Sequence, residues 1–159
     1  MTKIKVVEAL ATEIRADALV ATIDPSGWGV GGIHDQIMSV SGNVFHLQVL
    51  DNMPLISGQM IFCPCYIPHK GRYNSVIFFV NVVGKSTYDV ITEVLDFAAI
   101  HKVKSLAIPT YDIIGDLGLL AKAIADFKST NPSSSIEQII VVVSNKNDKY
   151  LLDDELWLV

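Results

Sequence analysis

The sequence predicts an α/β fold built on a mostly parallel central sheet. Apolar segments of strand length alternate along the 159 residues with helical patterns, which is the order expected for βαβ units. Several strand segments, such as VIFFVNVV and IIVVV, are nearly continuous apolar runs, typical of strands that are buried on both faces. The length fits one domain with one core, so residues 1–159 are predicted to form a single domain.

Six strands are predicted, at residues 3–9, 18–23, 59–66, 75–83, 105–110 and 136–144. Helices are predicted at residues 32–50, 87–102 and 116–130, with a short one at 149–155. The second helix has the clearest pattern, because Ile91, Val94 and Leu95 recur at helical spacing while acidic residues occupy other faces. Either Ser86 or Thr87 can cap it.

The composition excludes several classes of protein. Half of the residues are hydrophobic and 18% are charged, so a compact core is expected and disorder is not. The net charge of -5 leaves no general basic surface for nucleic acid. No segment approaches the length of a membrane span and the first residues lack an apolar run of signal-peptide length, so we expect a cytoplasmic protein.

Two cysteines, Cys63 and Cys65, lie in a strand-like run, too close in sequence to close a useful disulfide loop. Alternation along a strand places both on one face, which favours buried, reduced thiols. A metal site needs more ligands, and His69 is the only candidate close in sequence. The sequence therefore predicts no metal site, and no cofactor.

Four of the ten glycines cluster in SGWGVGGIHDQIM, residues 26–38, between a predicted strand and a predicted helix. Glycines at this position let an anion approach the backbone amides, and the helix dipole favours negative charge there. The alternative is a glycine turn that packs tightly on the sheet.

The segment ADALVATIDPSGWGVGGIHDQIMSVSG, residues 16–42, resembles the first signature of the macro domains, DAIVNAAN followed by a spacer and GGGGVDGAIH. Downstream, GQMIFCPCYIP, SVIFFVNVVG and SLAIPTYDIIGDLG resemble later strands and the second phosphate loop of that family. The resemblance covers nearly the whole chain. It implies a three-layer α/β/α fold with a mixed, mostly parallel sheet, and a domain that binds ADP-ribose.

The resemblance also implies which residues bind the ligand. Two loops would face each other and hold the diphosphate by backbone amides, which explains how an acidic protein could bind an acidic ligand. The implied ligand-binding residues are Ile23, Gly29, Gly31, Gly32 and Ile33 in the first loop, and Gly115, Asp116, Leu117 and Gly118 in the second.

The sequence departs from the family pattern at the positions that carry its chemistry. Asp24 stands in place of the second asparagine of NAAN, and it brings a negative charge close to the expected diphosphate. His34 replaces the acidic residue of VDGAIH and is followed by Asp35. Leu10 replaces the acidic residue that reads the adenine in the family, so adenine recognition is in doubt. Asp24, His34 and Asp35 are the candidate catalytic residues.

Two of the aromatic residues near the first loop have alternative interpretations. His34 would contact phosphate or position a water molecule, or else be a partly exposed residue of the first helical turn. Trp28 would be a lid or stacking surface, or an anchor packed on the fold. His46 and His69 are not predicted to belong to any cluster.

The sequence alone leaves three functions open. The first is hydrolysis of an ADP-ribosyl linkage or of ADP-ribose-1''-phosphate. The second is binding of ADP-ribose or a related small phosphorylated ligand without catalysis. The third is an inactive macro-like fold that acts as a protein-interaction module. We expect a monomer that binds neither membranes nor nucleic acid in general.

Overall fold

The structure is a computed structural model that describes residues 2–65, 67–111 and 115–156. Its strands are β1 (Lys3–Glu8), β2 (Ala16–Ile23), β3 (Met60–Pro64), β4 (Tyr73–Val80), β5 (Ser105–Pro109) and β6 (Gln138–Val143). Its α-helices are α1 (Ile33–Ser41), α2 (Val44–Asp51), α3 (Thr87–Ile100), α4 (Leu117–Thr130) and α5 (Lys146–Leu156), and a 3-10 helix covers Ala11–Glu13.

The six strands form one mixed sheet in the order β1-β6-β5-β2-β4-β3. β3 runs antiparallel to β4, and the other strand pairs are parallel. β2 is central, since Ala18 pairs with Ser75 of β4 on one side and with Leu106 of β5 on the other. The predicted α/β class and mostly parallel sheet are therefore confirmed.

Helices cover both faces of the sheet and produce three layers. Ile37 of α1 and Phe45 of α2 pack in the core on one face. Leu95 of α3, Ile124 of α4 and Leu152 of α5 pack in the core on the other face. Burial of each such side chain contributes roughly 1.5–3 kcal/mol to the free energy of unfolding. Ser86 is the residue that caps α3, because its hydroxyl accepts a hydrogen bond from the Asp89 amide at 3.1 Å.

The prediction of one helix over residues 32–50 is wrong, because the chain breaks at Gly42 and resumes as α2. Gly42 has φ 68° and ψ -153°, a conformation that ends α1 and redirects the chain. The last helix starts at Lys146, three residues before its predicted start at Lys149. The predicted end of the third strand, Tyr66, lies outside the described residues.

Candidate functional site

The candidate site lies where the carboxyl ends of β2 and β5 meet. These two strands are adjacent and parallel, and the helices that follow them pack on opposite faces of the sheet, α1 on one and α4 on the other. The chain after Ile23 and the chain after Pro109 therefore leave the sheet in opposite directions. Such a point is where open α/β sheets form ligand-binding crevices.

Asp24 builds the first part of the loop after β2. Its amide donates to the Trp28 carbonyl at 2.8 Å, and its carbonyl accepts from the Gly27 amide at 2.9 Å. Its Oδ1 accepts hydrogen bonds from the Ser26 hydroxyl, from the Ser26 amide at 2.8 Å and from the Trp28 amide at 3.4 Å. The hydrogen bond from the Ser26 hydroxyl is the largest cause that lowers the pKa of Asp24, which is therefore ionised at neutral pH.

The second part of the loop folds back against β2 and the start of α1. Gly29 forms a bridge with Ile23, and the Val30 amide donates to the Thr22 carbonyl at 3.2 Å. A Cβ atom at Gly29 would lie only 2.6 Å from the Cβ of His34. Glycine is needed there because the backbone passes directly against that histidine.

Gly32 is the residue that starts α1. It occupies the left-handed region at φ 95°, with open space where a side chain would stand. Within the described parts of the chain, the amides of Gly31 and Gly32 have no hydrogen-bond acceptor. They lie at the positive end of the helix dipole and are available to an anion. Ile33, the next residue, is buried in the core and anchors the loop to the sheet.

Beneath this loop lies a pair of buried histidines that sequence reasoning missed. His34 is 0% exposed, and its Nε2 lies 3.0 Å from the Nδ1 of His46, which is also buried. The interpretation of His34 as a partly exposed residue is therefore wrong, as is the expectation that His46 belongs to no cluster. The Nδ1 of His34 is buried and has no hydrogen-bond partner among the described residues. Burial, and secondly the neighbouring His46, lower the pKa of His34.

Trp28 covers the histidine pair. Its ring centroid lies 4.8 Å from that of His46 at a tilt of 31°, and 5.9 Å from that of His34 in an edge-on arrangement. Trp28 is nevertheless 53% exposed. One face of the Trp28 ring thus packs against the histidines, and the other face is exposed to solvent. The ring therefore anchors the loop and also offers a surface on which a ligand ring could stack.

The described part of the second loop is organised by Asp116. Its amide donates to the Thr87 hydroxyl at 3.1 Å, which ties the loop to the start of α3. Its carboxylate caps α4 by accepting from the amides of Gly118 at 2.8 Å and Leu119 at 3.2 Å. These first-turn amides are therefore already bonded to an anionic group. Residues 112–114 of this loop lie outside the described residues.

The predicted site residues thus fall into two groups. Ile23, Asp24, Gly29, Gly31, Gly32, Ile33 and His34 form one continuous loop and helix start at the end of β2, whereas Gly115, Asp116, Leu117 and Gly118 lead into α4. Asp35 belongs to the first turn of α1 and is exposed. The roles assigned to these residues stay predictions.

Metal sites and membrane spans are both absent from the described residues. No group of three or more His, Cys, Asp or Glu side chains is placed to hold a metal ion in the part of the chain that the structure describes. In the same residues, none of the helices has both the length and the apolar character of a membrane span.

No protein-family model and no curated protein matches the sequence. The fold, in contrast, is that of a macro domain. The structure is similar to the macro domain of ganglioside induced differentiation associated protein 2, with a TM-score of 0.79, 14% identity, and coverage of 97% of this chain and 84% of that one.

Two ligand complexes are similar as well. A Trypanosoma brucei macrodomain in complex with ADP-ribose has a TM-score of 0.77 and 14% identity, covering 95% of this chain and 68% of that one. An Oceanobacillus iheyensis macrodomain with ADP has a TM-score of 0.75 and 15% identity, covering 96% and 89%. These similarities confirm the predicted three-layer macro-domain fold.

Proposed function

We propose that the protein binds ADP-ribose or a related nucleotide diphosphate at the loop after β2, and that it acts as a binding module. The observation that carries this proposal is the pair of amides at Gly31 and Gly32, at the start of α1, which have no acceptor among the residues that the structure describes. An oxygen of the diphosphate would accept from both amides at the positive end of the helix. The exposed face of Trp28 lies on the same loop and would stack on a base or cover a ribose. That solved macrodomains of this fold hold ADP-ribose and ADP supports the choice of ligand.

The arrangement of the three candidate catalytic residues favours binding over hydrolysis. The Oδ1 of Asp24 already accepts three hydrogen bonds within its own loop. The Nε2 of His34 is bonded to His46, and the whole ring is buried. Asp35 is exposed in the first turn of α1. A general base must reach the water molecule that it activates, and in this arrangement two of the three candidates are engaged in holding the loop together.

Isothermal titration calorimetry with ADP-ribose tests the proposal. We expect one-to-one binding to the unmodified protein, and a loss of about tenfold or more in Gly32→Ala, because the added methyl group projects into the open space beside the two amides. Gly42→Ala is the matched control, since Gly42 also has a positive φ and open space around its Cβ position. It should lose stability but keep its affinity. Equal affinity in Gly32→Ala would contradict the assigned loop.

Asp24→Asn should strengthen ADP-ribose binding. The three hydrogen bonds that the Asp24 side chain accepts all end on Oδ1, and the amide oxygen of asparagine can accept the same three. The substitution removes a negative charge near the diphosphate but keeps the turn, so we expect a gain of about fivefold, equivalent to roughly 1 kcal/mol.

Asp24→Ala is the control for this experiment, because it removes both the charge and the acceptor. It should loosen the turn and bind more weakly than Asp24→Asn. If Asp24→Asn binds no better than the unmodified protein in calorimetry at low salt, the charge of Asp24 does not oppose the ligand.

A second candidate function is a protein-interaction module that holds no nucleotide. The carboxylate of Asp116 favours it, because it occupies the amides of Gly118 and Leu119. A diphosphate at the second loop would have to compete with this carboxylate. Absence of heat with ADP-ribose, AMP and ADP, for the unmodified protein and for Asp116→Asn alike, would favour this second function.

A further inference from the structure

A cavity lies at the amino ends of β2 and β4, at the opposite end of β2 from the glycine loop. It has a volume of about 300 Å³ and lies beside the first residues of β2 and β4. β2 is eight residues long, so at about 3.3 Å per residue roughly 25 Å separate this cavity from the loop after Ile23. The two places are therefore distinct sites, and a ligand in this cavity would not depend on the proposed nucleotide site.

The chain has two arginines, Arg15 and Arg72, and both line this cavity. They are brought together by the sheet, because Ala16 pairs with Tyr73 and the Ala16 amide donates to the Arg72 carbonyl at 3.3 Å. Both arginines are exposed, and within the described residues neither forms an ion pair. Like charges opposite each other on neighbouring strands are unfavourable unless an anion lies between them.

The rest of the lining adds a donor and no negative charge. The Nδ1 of His69 accepts from the Gly71 amide at 3.0 Å and lies 3.0 Å from the hydroxyl of Ser41. Since Nδ1 accepts, the proton of the neutral ring is on Nε2, which is a donor. Among the described residues that line the cavity there is no carboxylate. The Asp17 carboxylate does not line the cavity. It accepts hydrogen bonds from the side-chain amide of Asn74 at 3.5 Å and from the Lys104 amide at 2.8 Å.

From these observations we infer that the cavity binds a phosphate group, either as inorganic phosphate or as the monoester of a small metabolite. Paired guanidinium groups match the geometry of phosphate oxygens and bind them with two hydrogen bonds each. The volume lies at the lower end of the range for small-molecule sites, so the ligand is a compact molecule. Binding there would neutralise the repulsion between Arg15 and Arg72.

Cys65 supplies a local reporter, because this half-buried residue lines the cavity and its thiol donates a hydrogen bond at 3.1 Å to the carbonyl of Ile67, which also lines it. The other thiol, Cys63, is 0% exposed, and burial raises its pKa to about 12, so it reacts slowly. Alkylation by N-ethylmaleimide, read by mass spectrometry at Cys65, therefore reports access to the cavity. The reagent is uncharged, so the arginines do not attract it.

The experiment compares the alkylation rate of Cys65 in inorganic phosphate and in sodium chloride of equal ionic strength. We expect phosphate to slow the reaction about threefold at twice its dissociation constant, with saturation. Arg15→Gln and Arg72→Gln should each abolish this protection. Gly32→Ala and Lys146→Gln should retain it, because neither residue lines the cavity. Gly32 lies beyond the carboxyl end of β2, and Lys146 starts α5.

Glycerol 3-phosphate in place of inorganic phosphate distinguishes the two sources of the group. Stronger protection by glycerol 3-phosphate means that a metabolite monoester is the ligand, and weaker protection means that the free ion is. The inference would be overturned if neither compound slows the alkylation of Cys65 relative to sodium chloride. It would also be overturned if both arginine variants keep full protection. Circular dichroism of the two variants shows whether they are folded, and because two exposed residues are tested separately, a folding defect in one leaves the other to decide.

Discussion

Lowering the pH from 7.5 to 5.0 is expected to reduce the free energy of unfolding, because the His34–His46 pair is buried. Burial and the neighbouring His46 lower the pKa of His34 below its ordinary value of 6.5. The unfolded chain therefore binds this proton more readily than the folded chain. Stability that is fully present above pH 6.5 is lost as the pH falls toward the lowered pKa of the folded state.

The groups around His34 determine how large this loss is. His46 and the ring of Trp28 pack against it, and the carboxylates of Asp35 and Asp24 oppose part of the shift by their negative charge. Urea unfolding at several pH values measures the effect. We expect a flatter dependence on pH in His34→Gln, whose side chain forms hydrogen bonds but does not titrate in this range.

His101→Gln is the control for the acid effect, because His101 is exposed at the end of α3. It should leave the difference between pH 7.5 and pH 5.0 as it is in the unmodified protein. An unchanged pH dependence in His34→Gln would show that the buried pair is not the source of acid sensitivity.

Gly29→Ala is expected to destabilise the protein by about 1–3 kcal/mol, the cost typical of overpacking. The new methyl carbon would lie 2.6 Å from the Cβ and 3.4 Å from the Cγ of His34. His34 is fully buried and bonded to His46, so it cannot move away without breaking that hydrogen bond. The urea midpoint of unfolding measures the change.

Val30→Ala, one residue further along the same loop, is the matched control. Val30 is exposed, so its shortening should change the stability by about 0.5 kcal/mol or less. If Gly29→Ala unfolds at the same urea concentration as the unmodified protein, the loop has room to shift and the close contact with His34 does not constrain it.

The sheet could be predicted from the sequence because its strands are marked by their own residues. Apolar runs such as 139–143 are buried on both faces and leave little choice of secondary structure. The glycine loop was predictable for a related reason, because several glycines between a strand and a helix fit few backbone conformations. Both signals are local, and a local signal can be seen in one sequence.

The histidine pair could not be predicted in the same way. In a continuous helix over residues 32–50, His34 and His46 would lie about 18 Å apart along the axis. The break at Gly42 sends α2 in a new direction and brings the two rings into contact. The signal that could have revealed it is Gly42 itself, since a glycine inside an otherwise helical pattern is typical of a helix end.

The capping role of Asp116 was missed for a different reason. The resemblance placed this residue in a phosphate loop, whereas an aspartate just before a helix is also a common N-cap. In the structure its carboxylate accepts from Gly118 and Leu119 and takes the position of an anion at the helix start. The sequence permitted both roles; the structure shows the cap, and the ligand-binding role of Asp116 stays a prediction.

The position of Trp28 gives this protein a built-in optical probe. The chain has two tryptophans, Trp28 and Trp157, so Trp157→Phe leaves one indole, with one face on His46 and the other in solvent. The fluorescence of that indole depends on the charge of the neighbouring histidine ring and on any molecule that covers its exposed face. Protonation of the buried pair and arrival of a ligand can thus be followed by fluorescence, at low protein concentration and without any attached label.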